Sequence, residues 1–344
     1  MERAGPGRGG LPVHALFQQR FAGDDTLLEL AGLRFAQAGL AAEAYADTPD
    51  ELDRLLGYVP PHPRLPTVHL NRGLNMLRER DRDVVAQFAG AFAGRLSGIV
   101  VHDQADMGMQ ADSVVAAARE LDARLARWPD APLVFLEYAA GHEPGWFVGL
   151  AERLGDVDRV SCCIDVGHVG IRQAAARFAR AHPGVPLRDL SPGDTRLPGL
   201  VSDVQDAVAG ALPDVVDMTR SIGRLGKHLH LHLHDGHPLI GGLPDHFTFL
   251  MRLPVPFSHA GLPSLATMYG PAGLAAIVAA AAAACRPDLL SFTLEIHQVE
   301  GRLPLGDAEG LFRDWPDITD AERMNNWLSV LAQNAMLVHQ AIAG

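Results

Sequence analysis

The chain has 344 residues, 48% of them hydrophobic, enough for a full-sized core. Its net charge of −12 gives it no general attraction for phosphate backbones, which argues against nucleic acid as a partner. The cysteines Cys162, Cys163 and Cys285 include an adjacent pair whose side chains would point to opposite faces of a strand, so a disulfide framework is not expected and a reducing cytoplasm is. The longest apolar run, 274–285, is too short to cross a bilayer and predicts no membrane association.

Residues 1–10 lack periodicity and read as a mobile N-terminal tail, with a single domain over 11–344. A first strand is predicted near 11–17, a helix over 24–38 and a second strand over 41–46. Thr48-Pro49-Asp50-Glu51 then opens a helix with a capping hydroxyl, an early proline and early acids. Strands follow at 65–70 and 98–102, and helical spacing marks 111–127.

Four more apolar runs each close on a charged or imidazole side chain. They are 132–137 ending in Glu137, 160–165 ending in Asp165, 230–235 with its alternating histidines, and 290–295 ending in Glu295. A last amphipathic helix is predicted over 321–342. Eight β/α units point to an α/β fold of the (β/α)8 TIM-barrel type, in which functional groups sit at the C-terminal strand ends. The competing doubly wound sheet lacks support, because no glycine-rich phosphate loop follows the first strand. Two connections, about 170–227 and 236–271, are long and leave C-terminal strand ends, so they are expected to form lids or walls over the site.

Buried carboxylates converging on one mouth require a cation or a substrate to pair them. The alternative is a salt-bridge cluster, yet no Arg or Lys stands at the same strand ends, and Lys227 lies at the opposite end of its strand. Along the seventh strand His228, His230, His232 and His234 share one face, and His232 is the one taken as a ligand. Glu137, Asp165, His232 and Glu295 then form a mainly oxygen set for one divalent ion. Such a set favours Mn2+, Mg2+ or Co2+, with Zn2+ as a further candidate. Glu143, His168, His69 and His102 lie close enough in the pattern to touch a substrate, as does His259 on the long segment after the seventh strand. The glycine before His168 is expected to let the chain turn back over the site.

These residues resemble the xylose isomerase-like TIM-barrel superfamily, which holds sugar phosphate isomerases/epimerases, ketose 3-epimerases and the endonuclease IV-type AP endonucleases. The resemblance rests on Leu136-Glu137, Asp165-Val166-Gly167-His168, His232-Leu233-His234-Asp235 and Leu294-Glu295. It implies a metal-dependent isomerase or epimerase of a sugar-like hydroxy-carbonyl substrate, working through an enediolate. Glu137 and Glu295 would bind the metal and exchange the proton, and Glu143 and His168 would contact the substrate. In the epimerases an arginine lies shortly after the metal-binding histidine; Pro238 occupies that neighbourhood here, which favours an unusual or bulkier substrate.

A lyase or dehydratase could use the same enediolate. A multinuclear-zinc phosphodiester hydrolase resembling the AP endonucleases would add His69, His102, His168 and His259 as ligands. Phe257 stands where its extra aspartate would be, unless Asp245-His246 supplies the pair, so one metal per chain and no cleavage of abasic DNA are expected. The expected partner is a small molecule, and self-association into a homo-oligomer is left open.

Overall fold

In the computed structural model, residues 11, 13–17, 24–190, 194–239, 246–250, 267–296 and 320–343 are described. His259, Asp245 and the tail 1–10 lie outside them. Eight parallel strands close into a barrel in sequence order: β1 Val13–Leu16, β2 Ala41–Tyr45, β3 Thr67–His69, β4 Gly98–His102, β5 Leu133–Glu137, β6 Val160–Asp165, β7 Leu229–Leu233 and β8 Leu290–Leu294. β8 returns to β1 through the register Val13↔Phe292, which closes the ring. The protein is a (β/α)8 TIM barrel.

Ten α-helices are described. They are α1 Asp25–Ala38, α2 Pro49–Leu56, α3 Glu79–Ala91, α4 Ala111–Leu125, α5 Pro144–Arg153, α6 Val166–Ala181, α7 Leu197–Ala209, α8 Ala211–Gly223, α9 Gly270–Ala284 and α10 Asp320–Ala343. Local sequence sets their starts. Asp24 caps α1 by accepting from the Leu27 amide at 3.1 Å, and Gly39 ends it in the left-handed region at φ 64°. Thr48 caps α2 through the Glu51 amide while Glu51 reaches back to the Asp47 amide, close to a reciprocal capping box.

The segment 170–227, expected as a lid or wall, is instead mostly helical. It completes α6, adds α7 and ends with α8 as the crossover to β7. Pro198 and Gly199 sit in the first turn of α7, Gly210 and Pro213 at the junction of α7 with α8, and Gly223 at the end of α8, positions where they are tolerated, although their composition suggested a loop.

Strand alternation divides the interior in two. Ile99, Val101, Val134, Leu136, Cys162, Ile164, Leu231 and Leu294 face outward into the main core beneath the helices. Inside the ring, among the described residues, a small apolar cluster forms from Val100, Phe135 and Cys163 with Leu133 beside it. The rest of the barrel filling includes buried Glu43, Thr67, Ser161, His230, Ser291 and Thr293. TIM-barrel interiors are usually dominated by branched aliphatic residues, so this polar filling is a departure with a cause to be found.

Among the described residues no helix is long and apolar enough to cross a membrane.

Candidate metal centre

Strand register delivers the acidic residues to one end of the barrel. Glu137 closes β5 opposite His102 of β4, and Asp165 closes β6 opposite His232 of β7. Glu295 follows β8 and is tied to it by its own amide, which donates to the Leu233 carbonyl at 3.1 Å. Asp165 is both a strand end and a helix cap, since its Oδ1 accepts from the His168 amide at 2.8 Å and starts α6 directly. Gly167 therefore does not turn the chain back over the site. Its φ is not in the left-handed region, and the residue is glycine because a Cβ there would stand 1.8 Å from the His234 ring.

Glu137, Asp165, His232 and Glu295 each bring one ligand atom to within 4.8 Å of the others, and all four are buried. His232 Nδ1 lies 3.1 Å from both Glu137 Oε1 and Glu295 Oε2. Every ion-pair contact of Glu137 and Asp165 among the described residues is to an imidazole. Two fully buried carboxylates whose described ion-pair partners are all titratable rings are a poor resting state without a cation. The donor set fits a divalent ion, with the oxygen-rich composition that suits Mn2+, Mg2+ or Co2+.

Two further groups abut this quartet and share its carboxylates. On one side His69 Nε2 lies 2.9 Å from Glu137 Oε2, with His102 Nε2 at 3.2 Å from the same oxygen. On the other side Asp165 gathers His234 Nε2 at 2.8 Å and His168 Nδ1 at 3.0 Å, with His246 stacked on His234 at a ring separation of 4.0 Å. Asp235 makes this second group. Its backbone pairs with Phe247, and its carboxylate accepts from the Tyr269 and Gly270 amides, which draws His246 in beside His234. His69 and His234 share a further trait. In each, Nδ1 faces a backbone carbonyl (Leu70 at 2.9 Å, Asp235 at 2.8 Å) while Nε2 faces a carboxylate. Nδ1 must donate, so either a proton or a cation belongs between Nε2 and its carboxylate.

Electrostatics follow from this crowding. Burial alone would raise Glu137, but His232, His102 and His69 hold it well below the ordinary range, and Asp165 is lowered by His168 and His234 against the same burial. Burial would lower His232, yet Cys163 and the carboxylates of Glu43, Glu137 and Glu295 raise it well above its ordinary value. His69 is raised too, by Glu137 against the desolvation of a buried ring. Burial and then Glu295 push the Tyr45 phenol well up, which keeps it protonated as the donor to Glu295 Oε1.

Of the residues singled out from sequence, Glu137, Asp165, His232, Glu295, His69, His102 and His168 come together. Glu143 does not join them; it is exposed at the start of α5, with Arg172 4.0 Å away. Lys227 is at the other end of the barrel, where its ammonium donates to the Leu154, Val157 and Val160 carbonyls. Sequence reasoning missed Glu43 and Tyr45 on β2 and gave no ligand role to His234. Glu43 carried a readable signal, as the one charged residue in the alanine-rich run Ala41-Ala42-Glu43-Ala44. His246, named from sequence only as a possible stand-in ligand, is brought to the cluster by the Asp235–Phe247 bridge, which no local pattern announces.

A barrel with this carboxylate–imidazole mouth is the class of protein the fold and site define. No protein-family model and no curated protein matches the sequence. Solved structures similar to the chain include a xylose isomerase-like TIM barrel protein from Mycobacterium smegmatis in complex with magnesium, at 12% identity and a TM-score of 0.45, covering 94% of this chain and 97% of that one. A thermostable mutant of a xylanase from Cellvibrio japonicus matches at 11% identity and a TM-score of 0.46, over 84% of this chain and 87% of that one. A xylose isomerase-like TIM barrel/4-hydroxyphenylpyruvate dioxygenase fusion protein matches at 12% and 0.46, over 88% of this chain but only 42% of the fusion. Likeness at this level carries no argument about reaction or substrate, and the barrel rests on its own strand pairing.

Proposed function

We propose that the protein is a divalent-metal-dependent enzyme that isomerises or epimerises a sugar-like hydroxy-carbonyl substrate. The observation that carries this reading is the convergence of Glu137 and Glu295, from β5 and β8, on the single nitrogen His232 Nδ1 at 3.1 Å each. A cation held by Glu137, Asp165, His232 and Glu295 would polarise a carbonyl and its neighbouring hydroxyl and acidify the carbon-bound proton. Two carboxylates that reach one point from different sides can then remove a proton and return one, a contribution of about 10²–10⁴-fold. Tyr45 holds Glu295 Oε1 by a hydrogen bond, which orients that carboxylate and leaves Oε2 toward the cluster. His168, partly exposed over Asp165, would meet a substrate entering from solvent, whereas Glu143 lies outside the cluster and would do so only with a substrate that extends beyond it. Lys227, held by three carbonyls at the far end, takes no part. Turnover in deuterated water tests the proton transfer: deuterium should appear at the carbon next to the carbonyl. Product free of solvent label would discard the glutamate pair as acid and base, and loss of a β-hydroxyl would move the assignment to a lyase.

A second reading is favoured by one specific observation. His69 and His234 both present Nε2 to a carboxylate while Nδ1 donates to a carbonyl, the arrangement of histidines that ligate metal. With Glu137 and Asp165 shared between groups, the site could hold two or three cations and activate water for hydrolysis of a phosphodiester. Metal-to-protein ratio by elemental analysis separates the readings. One ion per chain supports the isomerase, whereas two or three, or nicking of abasic DNA above background, supports the hydrolase.

A further inference from the structure

The polar filling of the barrel is organised around Glu43. Its strand is otherwise alanine and tyrosine, and the carboxylate is completely buried. Oε2 accepts from Thr67 Oγ1 at 2.7 Å and from Thr293 Oγ1 at 2.9 Å, hydroxyls supplied by β3 and β8. Oε1 lies 3.1 Å from His232 Nε2. That contact is off the line of an ideal hydrogen bond, but neither atom has another hydrogen-bond partner among the described residues. The far side of the same ring carries Nδ1 toward Glu137 and Glu295.

We propose that Glu43 is a positioning residue that holds His232 by Nε2 and so makes Nδ1 the nitrogen presented to the cation. This rests on the metal reading given above and adds to it which ring atom is the ligand and what sets it. A ligating imidazole is oriented by the group on its other nitrogen, and a carboxylate does this most strongly because it also makes the ring a better donor.

The interior fixes Glu43 in turn. His228 Nε2 meets Ser291 Oγ at 2.9 Å, Ser291 Oγ meets His230 Nδ1 at 2.7 Å, and His230 Nε2 meets Thr293 Oγ1 at 3.0 Å. Once Thr293 donates to Glu43, one consistent assignment satisfies the whole chain: His230 donates to Thr293, Ser291 to His230, and His228 to Ser291. Every donor then points along the barrel toward the same carboxylate. An aliphatic filling would have packed as well, but it would have left Glu43 without its clamps and His232 free to rotate.

The test is metal binding, measured without reference to turnover. Wild-type protein, Glu43→Gln and Glu43→Ala are stripped with chelator and titrated with Mn2+ by calorimetry, and their Co2+ forms are compared by visible absorption. Loss of an outer carboxylate of this kind typically weakens metal binding about 10–100-fold. Glu43→Gln keeps shape and volume and should bind about tenfold more weakly with a shifted Co2+ spectrum; Glu43→Ala should lose closer to 100-fold. Ser161→Ala, which removes an interior hydroxyl that donates to the His228 carbonyl, is the control for a general packing effect and should keep wild-type affinity. If Glu43→Gln binds within twofold of wild type and its Co2+ spectrum superimposes, Glu43 does not position His232. An equal loss in Ser161→Ala would likewise reduce Glu43 to ordinary packing. A wild-type protein that binds neither ion overturns the metal reading itself, an outcome distinct from the other two.

Discussion

The two ends of the barrel interior bury similar side chains and treat them oppositely. At the N-terminal end His14 sits between the Leu65 and Phe292 carbonyls, His228 and His230 share Ser291, and Lys227 is held by three carbonyls. At the C-terminal end His69, His102, His232 and His234 face carboxylates. Burial alone lowers an imidazole, and it wins at the N-terminal end: His14 is lowered, and His228 and His230 are each pushed down to about 4. At the mouth the carboxylates outweigh it, and His69 and His232 are raised. The fully buried His14 and His230 on one side and His69 and His232 on the other reach opposite outcomes, so partner charge separates imidazoles that fill structure from candidate ligands.

The largest expected effect separates the ends by metal. Asp165→Ala and His232→Ala should lose most bound metal, measured by elemental analysis, while Ser161→Ala, deeper in the barrel, keeps it. In the wild type, cation at about 1,000 times its dissociation constant should stabilise the fold by about 4 kcal/mol. Denaturant midpoints with and without added ion will show this, and full retention of metal in both mouth variants would remove the quartet from the assignment.

Two stability effects come next. Gly167→Ala puts a methyl into the His234 ring and should cost about 1–3 kcal/mol by overpacking. It should also weaken metal binding if His234 is a ligand, so unchanged binding in that variant would confine His234 to packing. Lys227→Met leaves three carbonyls without their shared donor and should cost about 1–3 kcal/mol with metal content unchanged.

The dependence on pH should carry opposite signs at the two ends, read by denaturant midpoints in chelator. His228 and His230 have folded values below the unfolded 6.5, so the unfolded chain takes up protons first. Their contribution is present above 6.5 and is lost as pH falls toward about 4. His69 and His232 are raised, so theirs is full below 6.5 and is lost as pH rises through their folded values. His228→Asn should flatten the acid limb without changing the alkaline one. Because those mouth protons must leave before a cation enters, metal affinity should rise with pH over the same alkaline range.

Glu143→Gln is the smallest change. As an exposed residue it should alter stability by no more than about 0.5 kcal/mol and leave metal binding unchanged. A rise in KM alone would give Glu143 the substrate contact expected from its place in the sequence, and no change in KM would remove it.

What the sequence determined by itself was periodic or terminal. Alternation along β5 and β6 put Leu133, Phe135 and Cys163 inside the ring, and the ends of three runs with the alternating histidines of the fourth put Glu137, Asp165, Glu295 and His232 at one mouth. These follow from a two-residue repeat and the common direction of parallel strands, both of which are local. Glycines and prolines misled at 170–227, because the same residues that break a helix also begin and end one. Only the tertiary structure decided which of the four histidines in and beside β7 meets which carboxylate. That depends on the stagger between neighbouring strands, which sets Asp165 opposite His232 and leaves His234 above it. Only the closed ring brought Glu43 of β2 to His232 of β7, and only the Asp235–Phe247 bridge brought in His246. Residues about 190 positions apart in the chain share a hydrogen-bonding site because the barrel closes, and closure leaves no mark on any short window of sequence.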